Sequence, residues 1–204
     1  MIQNSYEWPQ TPQTGMQLYN PEGRRLYFTE AERCAFLKAA AWPRARCGPS
    51  AACCMPPVPD LRALALTTDR VDLAGRVIVF ESLKKRRRGV YRAVPVPPEL
   101  LDTLDLVHSL REAQRRGQAK ALLWPWSRMT GFRRVQEVIA AAGIPAGPHA
   151  CPKGLRHGFG VQAASKGIAL NMVQKWLGHA QLTTTAIYAN AIGEEEQRIA
   201  ARMY

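Results

Sequence analysis

The chain has 204 residues, 47% of them hydrophobic, enough for one good core with at most a small appendage. Its 28 Lys and Arg against 16 Asp and Glu leave a net charge of +12, which favours a polyanionic partner through counterion release without separating DNA from RNA or an anionic membrane. No run approaches the apolar length of a membrane span, Met1-Ile2-Gln3-Asn4 begins neither a signal nor a transit peptide, and the five cysteines show neither zinc-ligand spacing nor a disulfide framework. These features exclude secreted and membrane-spanning classes as expectations, and point to a reducing cytoplasm with no metal and no cofactor.

Residues 1–28 are rich in Gln, Asn, Pro, Gly and Tyr and lack an apolar period, which predicts a mobile lead-in. Thr29-Glu30-Ala31-Glu32 is a capping box that opens a helix through about Ala41. Residues 43–62 then break every pattern: Cys47, Cys53 and Cys54 stand among Pro43, Pro49, Pro56, Pro57 and Pro59. Each proline costs about 3 kcal/mol in a helix interior, so no buried helix is expected there.

Arg76-Val77-Ile78-Val79-Phe80 and Val90-Tyr91-Arg92-Ala93-Val94-Pro95-Val96 read as two strands around the basic turn Leu83-Lys84-Lys85-Arg86-Arg87-Arg88-Gly89. Lys84, Lys85, Arg86, Arg87, Arg88 and Arg92 are the predicted nucleic-acid contacts; for any one of them a solvated turn that touches phosphates without chemistry is the competing reading. Pro98 at a first helical position starts a helix to about residue 116, with Leu100, Leu101, Leu104, Val107 and Leu110 on one face. Trp124 and Trp126, around Pro125, read as core or loop anchors. Ser127 caps the next helix, which runs to about Ala142 before Gly143; its Arg133 and Arg134 face phosphates or solvent equally well.

Residues 153–166, with Leu155, Phe159 and Val161 among small residues, predict a buried helix that supports Arg156. Another helix spans 170–177, with Val173, Trp176 and Leu177 as core, and residues 194–204 form a charged amphipathic tail. The fold class expected is α+β, mainly α, with a small antiparallel β-hairpin sheet and no internal repeat.

Three groups near the carboxyl end carry chemistry: Arg156 in Gly154-Leu155-Arg156-His157, His179 in Leu177-Gly178-His179, and Tyr188 after Thr183-Thr184-Thr185-Ala186-Ile187. Gly178, Ala180 and Gln181 interrupt the helical pattern between His179 and Tyr188, so a helix, a turn and a second short helix bring both side chains to one pocket. A phenol is a poor nucleophile at its free pKa near 10 and needs help. A guanidinium can fork onto two phosphate oxygens and hold the charge of the transition state. An imidazole can orient the phosphate or move a proton. Attack by the phenol leaves a phosphotyrosine ester that a hydroxyl can later reseal. A lone tyrosine is usually a packing residue; the ordered set outweighs that reading. His149 and His157 read as packed or capping residues beside it.

The stretch 151–193 resembles the tyrosine recombinase, or phage integrase, family: a His-x-x-Arg box, then Leu-Gly-His, then Thr-Thr-x-x-Tyr. The resemblance implies that Tyr188 is the nucleophile, Arg156 the second phosphate-clamping arginine and His179 the histidine of the Leu-Gly-His box. It implies that a lysine of the basic hairpin, Lys84 first and Lys85 second, is the general acid toward the leaving 5′ oxygen. It further implies double-stranded DNA as partner, a tetramer on two duplexes, a tail helix packing on a neighbouring subunit, and a bacterial cytoplasm with a nucleoid, plasmid or phage target. Family enzymes carry a helical DNA-clamping domain ahead of the catalytic one; residues 29–204 read as a catalytic domain alone.

The chain departs from the family in two places. The first residue of the His-x-x-Arg box is Lys153, which can offer a proton and a hydrogen bond to a phosphate but is a poor acceptor near neutrality. The first catalytic arginine, in a helix written Thr-Gly-x-Arg-(Ile/Leu)-Ser-Glu, is replaced by residues 43–62. Bases encoding Pro59-Asp60-Leu61-Arg62 can, one position later, give Arg-Ile-Ser-Glu, and those for Cys53-Cys54-Met55-Pro56-Pro57-Val58, two positions later, Leu-Tyr-Ala-Thr-Gly. The segment reads as frame-shifted, through gene decay or base-calling error, and resequencing the gene decides between them. Three activities fit: a site-specific recombinase, a non-enzymatic DNA-binding remnant of one, and a type IB topoisomerase-like nickase.

Overall fold

The Thr29 backbone N–H donates to the Glu32 carboxylate (2.9 Å) and its hydroxyl accepts from the Glu32 N–H (3.2 Å). This reciprocal cap satisfies two otherwise unpaired donors and starts α1, Glu30–Ala41. The computed structural model describes residues 16–41, 61–81, 89–118, 120–190 and 200–201. The basic run Lys84, Lys85, Arg86, Arg87 and Arg88, most of the proline-rich segment and most of the tail lie outside the described residues.

The stretch just before α1 differs from a mobile lead-in. Leu18, Tyr27 and Phe28 are buried, and Tyr19 bridges Arg25 in antiparallel fashion across a turn closed by Gly23, whose φ is +73°. The Leu26 N–H donates to the Leu18 carbonyl at 2.7 Å. Anchors set on either side of a tight turn have no helical or strand period, which is why this part of the sequence reads as loop. Residues 1–15 lie outside the described residues.

Three antiparallel strands follow, β1 Val71–Asp72, β2 Val77–Glu81 and β3 Tyr91–Pro95, in the order β1-β2-β3. The register sets Ile78 opposite Val94 and Phe80 opposite Arg92. All four side chains fall on the buried face, as the two-residue period of a strand requires.

The helix expected over 98–116 is two helices, α2 Pro98–His108 and α3 Leu110–Arg115. Ser109 between them is left-handed (φ 49°, ψ 47°). The Asp105 carboxylate accepts from the Arg111 N–H (2.9 Å) and its guanidinium (2.7 Å), which holds the new start and turns Leu110 fully inward. Next comes α4, Arg128–Ala141, capped by the Ser127 hydroxyl, which accepts from the Thr130 N–H (3.1 Å). The last elements are α5 Pro152–Ser165, α6 Leu170–Leu177, α7 Thr183–Ala186 and a 3-10 turn, Ile187–Asn190.

Two apolar clusters share α5. Phe28, Phe36, Ala40, Val138, Ile139 and Leu155 fill the space between α1, α4 and α5. The larger one joins the sheet, α2 and Trp124 to Phe159, Val161, Val173, Leu177 and Tyr188. Every residue from Gly154 to Val161 is buried, so α5 is sheathed on both sides and Arg156 rides on a rigid support. Among the described residues no helix is long and apolar enough to cross a membrane.

Candidate active site

Arg156 projects from the second turn of α5 and is 9% exposed. Its guanidinium donates to the Leu177 carbonyl at the end of α6. A helix C-terminus presents unpaired carbonyls and the negative end of the helix dipole, so it is a natural seat for a cation. The chain then reverses through Gly178, at φ +69°, and delivers His179 beside it. The His179 imidazole, 6% exposed, shares a 2.9 Å hydrogen bond through Nδ1 with the Thr185 hydroxyl, and its carbonyl accepts from the Gln174 side chain at 3.2 Å. Thr185 thereby fixes the ring's orientation. Nothing in the sequence signals that role beyond the place of Thr185 in the threonine run before Tyr188.

Tyr188 stands in the 3-10 turn with no exposed surface. Its hydroxyl lies 3.3 Å from His157 Nδ1, and its ring stacks on that of His179 at 6.0 Å between centroids and 23° between planes. Burial pushes the phenol up to about 12, against the pull of the Arg156 charge. Burial also holds the His157 imidazole down at about 4, with the Lys153 and Arg156 charges adding to the effect. His157 is therefore a packed residue, as its sequence surroundings suggest, and also the polar partner of the tyrosine hydroxyl.

The structure thus brings Arg156, His179 and Tyr188 to one place from three elements. Lys153 sits exposed in the first turn of α5, three residues before Arg156 and so on the same side of the helix. Lys84, Lys85, Arg86, Arg87 and Arg88 lie outside the described residues. Arg92 corrects the expectation of a DNA contact on the basic hairpin: it is 7% exposed, directed inward from β3, and its Nε donates to the Trp176 carbonyl at 3.1 Å. Strand alternation places it on the face of Val94, not on the solvent face. Arg134 pairs with Glu137 at 3.0 Å along α4. Among the described residues no group of three or more His, Cys, Asp or Glu is gathered as a metal site.

Residues 62–195 match the phage integrase family. The chain belongs to that family. It is 33% identical over 134 residues to the tyrosine recombinase XerD of Mycobacterium tuberculosis (strain CDC 1551 / Oshkosh), a match covering 62% of this chain and 41% of that protein. The chain thus spans well under half of that relative's length. Its fold is that of the XerA recombinase crystal structure (TM-score 0.68, 22% identity, 87% of this chain and 64% of that one). It is likewise that of the catalytic domain of bacteriophage HP1 integrase (TM-score 0.58, 19% identity, 85% of this chain and 93% of that one). The fold is therefore the tyrosine recombinase catalytic domain, with its small three-stranded sheet.

Proposed function

We propose that this phage integrase family member cuts and rejoins double-stranded DNA at a specific site through a 3′-phosphotyrosyl intermediate on Tyr188. One observation carries the reading: a guanidinium, an imidazole and a phenol from three separate elements converge in a buried cluster in a protein of net charge +12.

In the forward step the Tyr188 phenol gives up its proton to solvent water as its oxygen attacks the scissile phosphorus, a new P–O bond forms, and the bond to the 5′ oxygen breaks. The 5′ oxygen takes a proton from a lysine of the basic turn, Lys84 before Lys85. Arg156 holds the non-bridging oxygens where negative charge gathers, and His179, fixed by Thr185, donates to the same group. Lys153, exposed one turn before Arg156, adds a proton donor on the same side of α5. Resealing runs in reverse: a 5′ hydroxyl attacks the phosphotyrosyl ester and the Tyr188 phenol leaves, so the energy of the broken bond is kept on the enzyme. Because Tyr188 is fully covered, it must leave its seat against α5 before it attacks. The DNA partner and assembly as a tetramer on two duplexes belong to this proposal, as does a role in the bacterial cytoplasm on plasmid, phage or chromosomal DNA.

A nicked suicide duplex carrying the cognate site tests it. Wild-type protein should form a covalent adduct that Tyr188→Phe does not form. A second reading, a DNA-binding remnant without strand transfer, is favoured by the proline-rich stretch that stands where the first phosphate clamp belongs. Loss of one such clamp costs about 2.7–4 kcal/mol, or roughly a hundredfold to a thousandfold in rate. Binding without adduct in the wild type supports the remnant. Relaxation of supercoils without site preference supports a topoisomerase-like nickase.

A further inference from the structure

Arg92 is a buried arginine for which the strand-transfer chemistry has no use. A guanidinium keeps its charge in any protein and is expensive to bury, so its surroundings must supply compensation. Phe80, directly opposite in the sheet, puts its ring 5.1 Å below the Arg92 guanidinium. The Trp176 carbonyl accepts from Nε at 3.1 Å. That carbonyl and the one that receives Arg156, on Leu177, are consecutive at the end of α6. Two guanidiniums, one from β3 and one from α5, therefore grip the same helix terminus from two directions.

The next residue shows how close the grip is. A Cβ on Gly178 would lie 2.4 Å from Arg92 Nη1 and 2.7 Å from Cζ. Glycine is required there twice, for its positive φ and for this approach. The turn that follows carries His179.

We infer that Arg92 is a positioning residue: seated between Phe80 and the Trp176 carbonyl, it holds the Leu177–His179 turn in register with Arg156. Its effect on phosphoryl transfer is exerted through His179 and Arg156, and it makes no contact with the DNA backbone. The catalytic arm of this inference rests on the recombinase reading above and the salt arm on the DNA binding that belongs to it; the NMR arm rests on neither.

Three measurements on the full chain test it, using Arg92→Met and Arg92→Lys. The salt dependence of binding to a random-sequence duplex should keep the wild-type slope; a slope lower by about one marks a lost phosphate contact and overturns the inference. The His179 ring signals in histidine-labelled NMR spectra should move while those of His108, which packs on Trp124, stay in place. His179 signals at wild-type positions in a folded Arg92 variant overturn it. Adduct formation on the suicide duplex should slow by about tenfold to a hundredfold, as expected for a misplaced reacting group, and lysine should not rescue it, since an ammonium lacks the planar fork and stacking face. If Arg92→Met does not fold, Phe80→Leu removes the aromatic seat while leaving the guanidinium, and should displace the same His179 signals by a smaller amount. A wild type that forms no adduct refutes the recombinase reading and leaves the NMR and salt measurements as the tests of Arg92.

Discussion

The seat of Tyr188 against α5 is tested by adding one methyl group. A Cβ on Gly160 would lie 2.5 Å from Tyr188 Cε2 and Cζ and 2.6 Å from Cδ2, so Gly160→Ala forces the ring to move. Overpacking of this kind costs about 1–3 kcal/mol. Alanine also favours an interior helical position over glycine by about 1 kcal/mol, which offsets part of that cost. The expected net loss is up to about 2 kcal/mol, or a fall in melting temperature of about 2–4 °C per kcal/mol for a chain of this size. The informative experiment is the cycle with Tyr188→Leu, which removes the ring from the contact. There the clash is gone and only the helical gain remains, so the same Gly160→Ala change should stabilise. Reversible unfolding of the four proteins gives the coupling, expected at about 1–3 kcal/mol. Equal effects of Gly160→Ala in both backgrounds refute the seat, and with it the argument that the nucleophile starts covered and must be released. If the seat is right, crowding it should not slow adduct formation on the suicide duplex.

The remaining predictions concern protonation and the clamp. A difference titration of tyrosinate absorbance between wild type and Tyr188→Phe should show one group with a midpoint near 12; a midpoint near 10 contradicts the burial. Because the folded value lies above the unfolded one, stability from this group is complete below pH 10 and is lost as pH rises toward 12, by about 3 kcal/mol at most. His157 has the opposite sign. Burial lowers its folded value to about 4, so its contribution is present above the free value near 6.5 and is lost as pH falls toward 4, again by about 3 kcal/mol at most. Denaturant unfolding from pH 7 to 4 should be steeper in the wild type than in His157→Phe. Arg156→Lys keeps a charge but loses the fork, and should cut adduct formation by about a hundredfold to a thousandfold in a single-turnover assay; an unchanged rate removes Arg156 from the clamp. Thr29→Ala removes the reciprocal cap of α1 and should cost about 1 kcal/mol, read as a fall of about 2–4 °C in melting temperature.

Local signals made much of this protein legible in its sequence, and non-local ones did not. The cap at Thr29, the cap at Ser127 and the alternation of β2 and β3 are set by neighbours a few residues apart, and the structure carries each of them. The convergence of Arg156, His179 and Tyr188 was legible because glycine and polar residues mark where the chain must reverse between them. By contrast, the burial of Leu18, Tyr27 and Phe28 depends on surfaces supplied by later elements, and no period announces it. The break at Ser109 turns on one carboxylate, that of Asp105, reaching the Arg111 N–H two residues past it.

Arg92 shows how a composition signal and a period signal compete. Four residues after Arg88 it reads as the end of a basic run, and the charge count assigns it to a polyanion. The period of the strand gives the opposite answer, since Arg92, Val94 and Val96 alternate with Tyr91, Ala93 and Pro95, and the valine face is the one a sheet buries. The period wins because reversing it would expose both valines and bury Tyr91 instead, losing about 1.5–3 kcal/mol for each buried valine. A lone guanidinium could not repay a buried position by itself. It is retained because the Phe80 face and the Trp176 carbonyl, from β2 and the end of α6, meet it there. Neither partner is adjacent in sequence, so the strand pattern fixes where Arg92 points, and only the packing of α6 against β3 gives that direction a purpose.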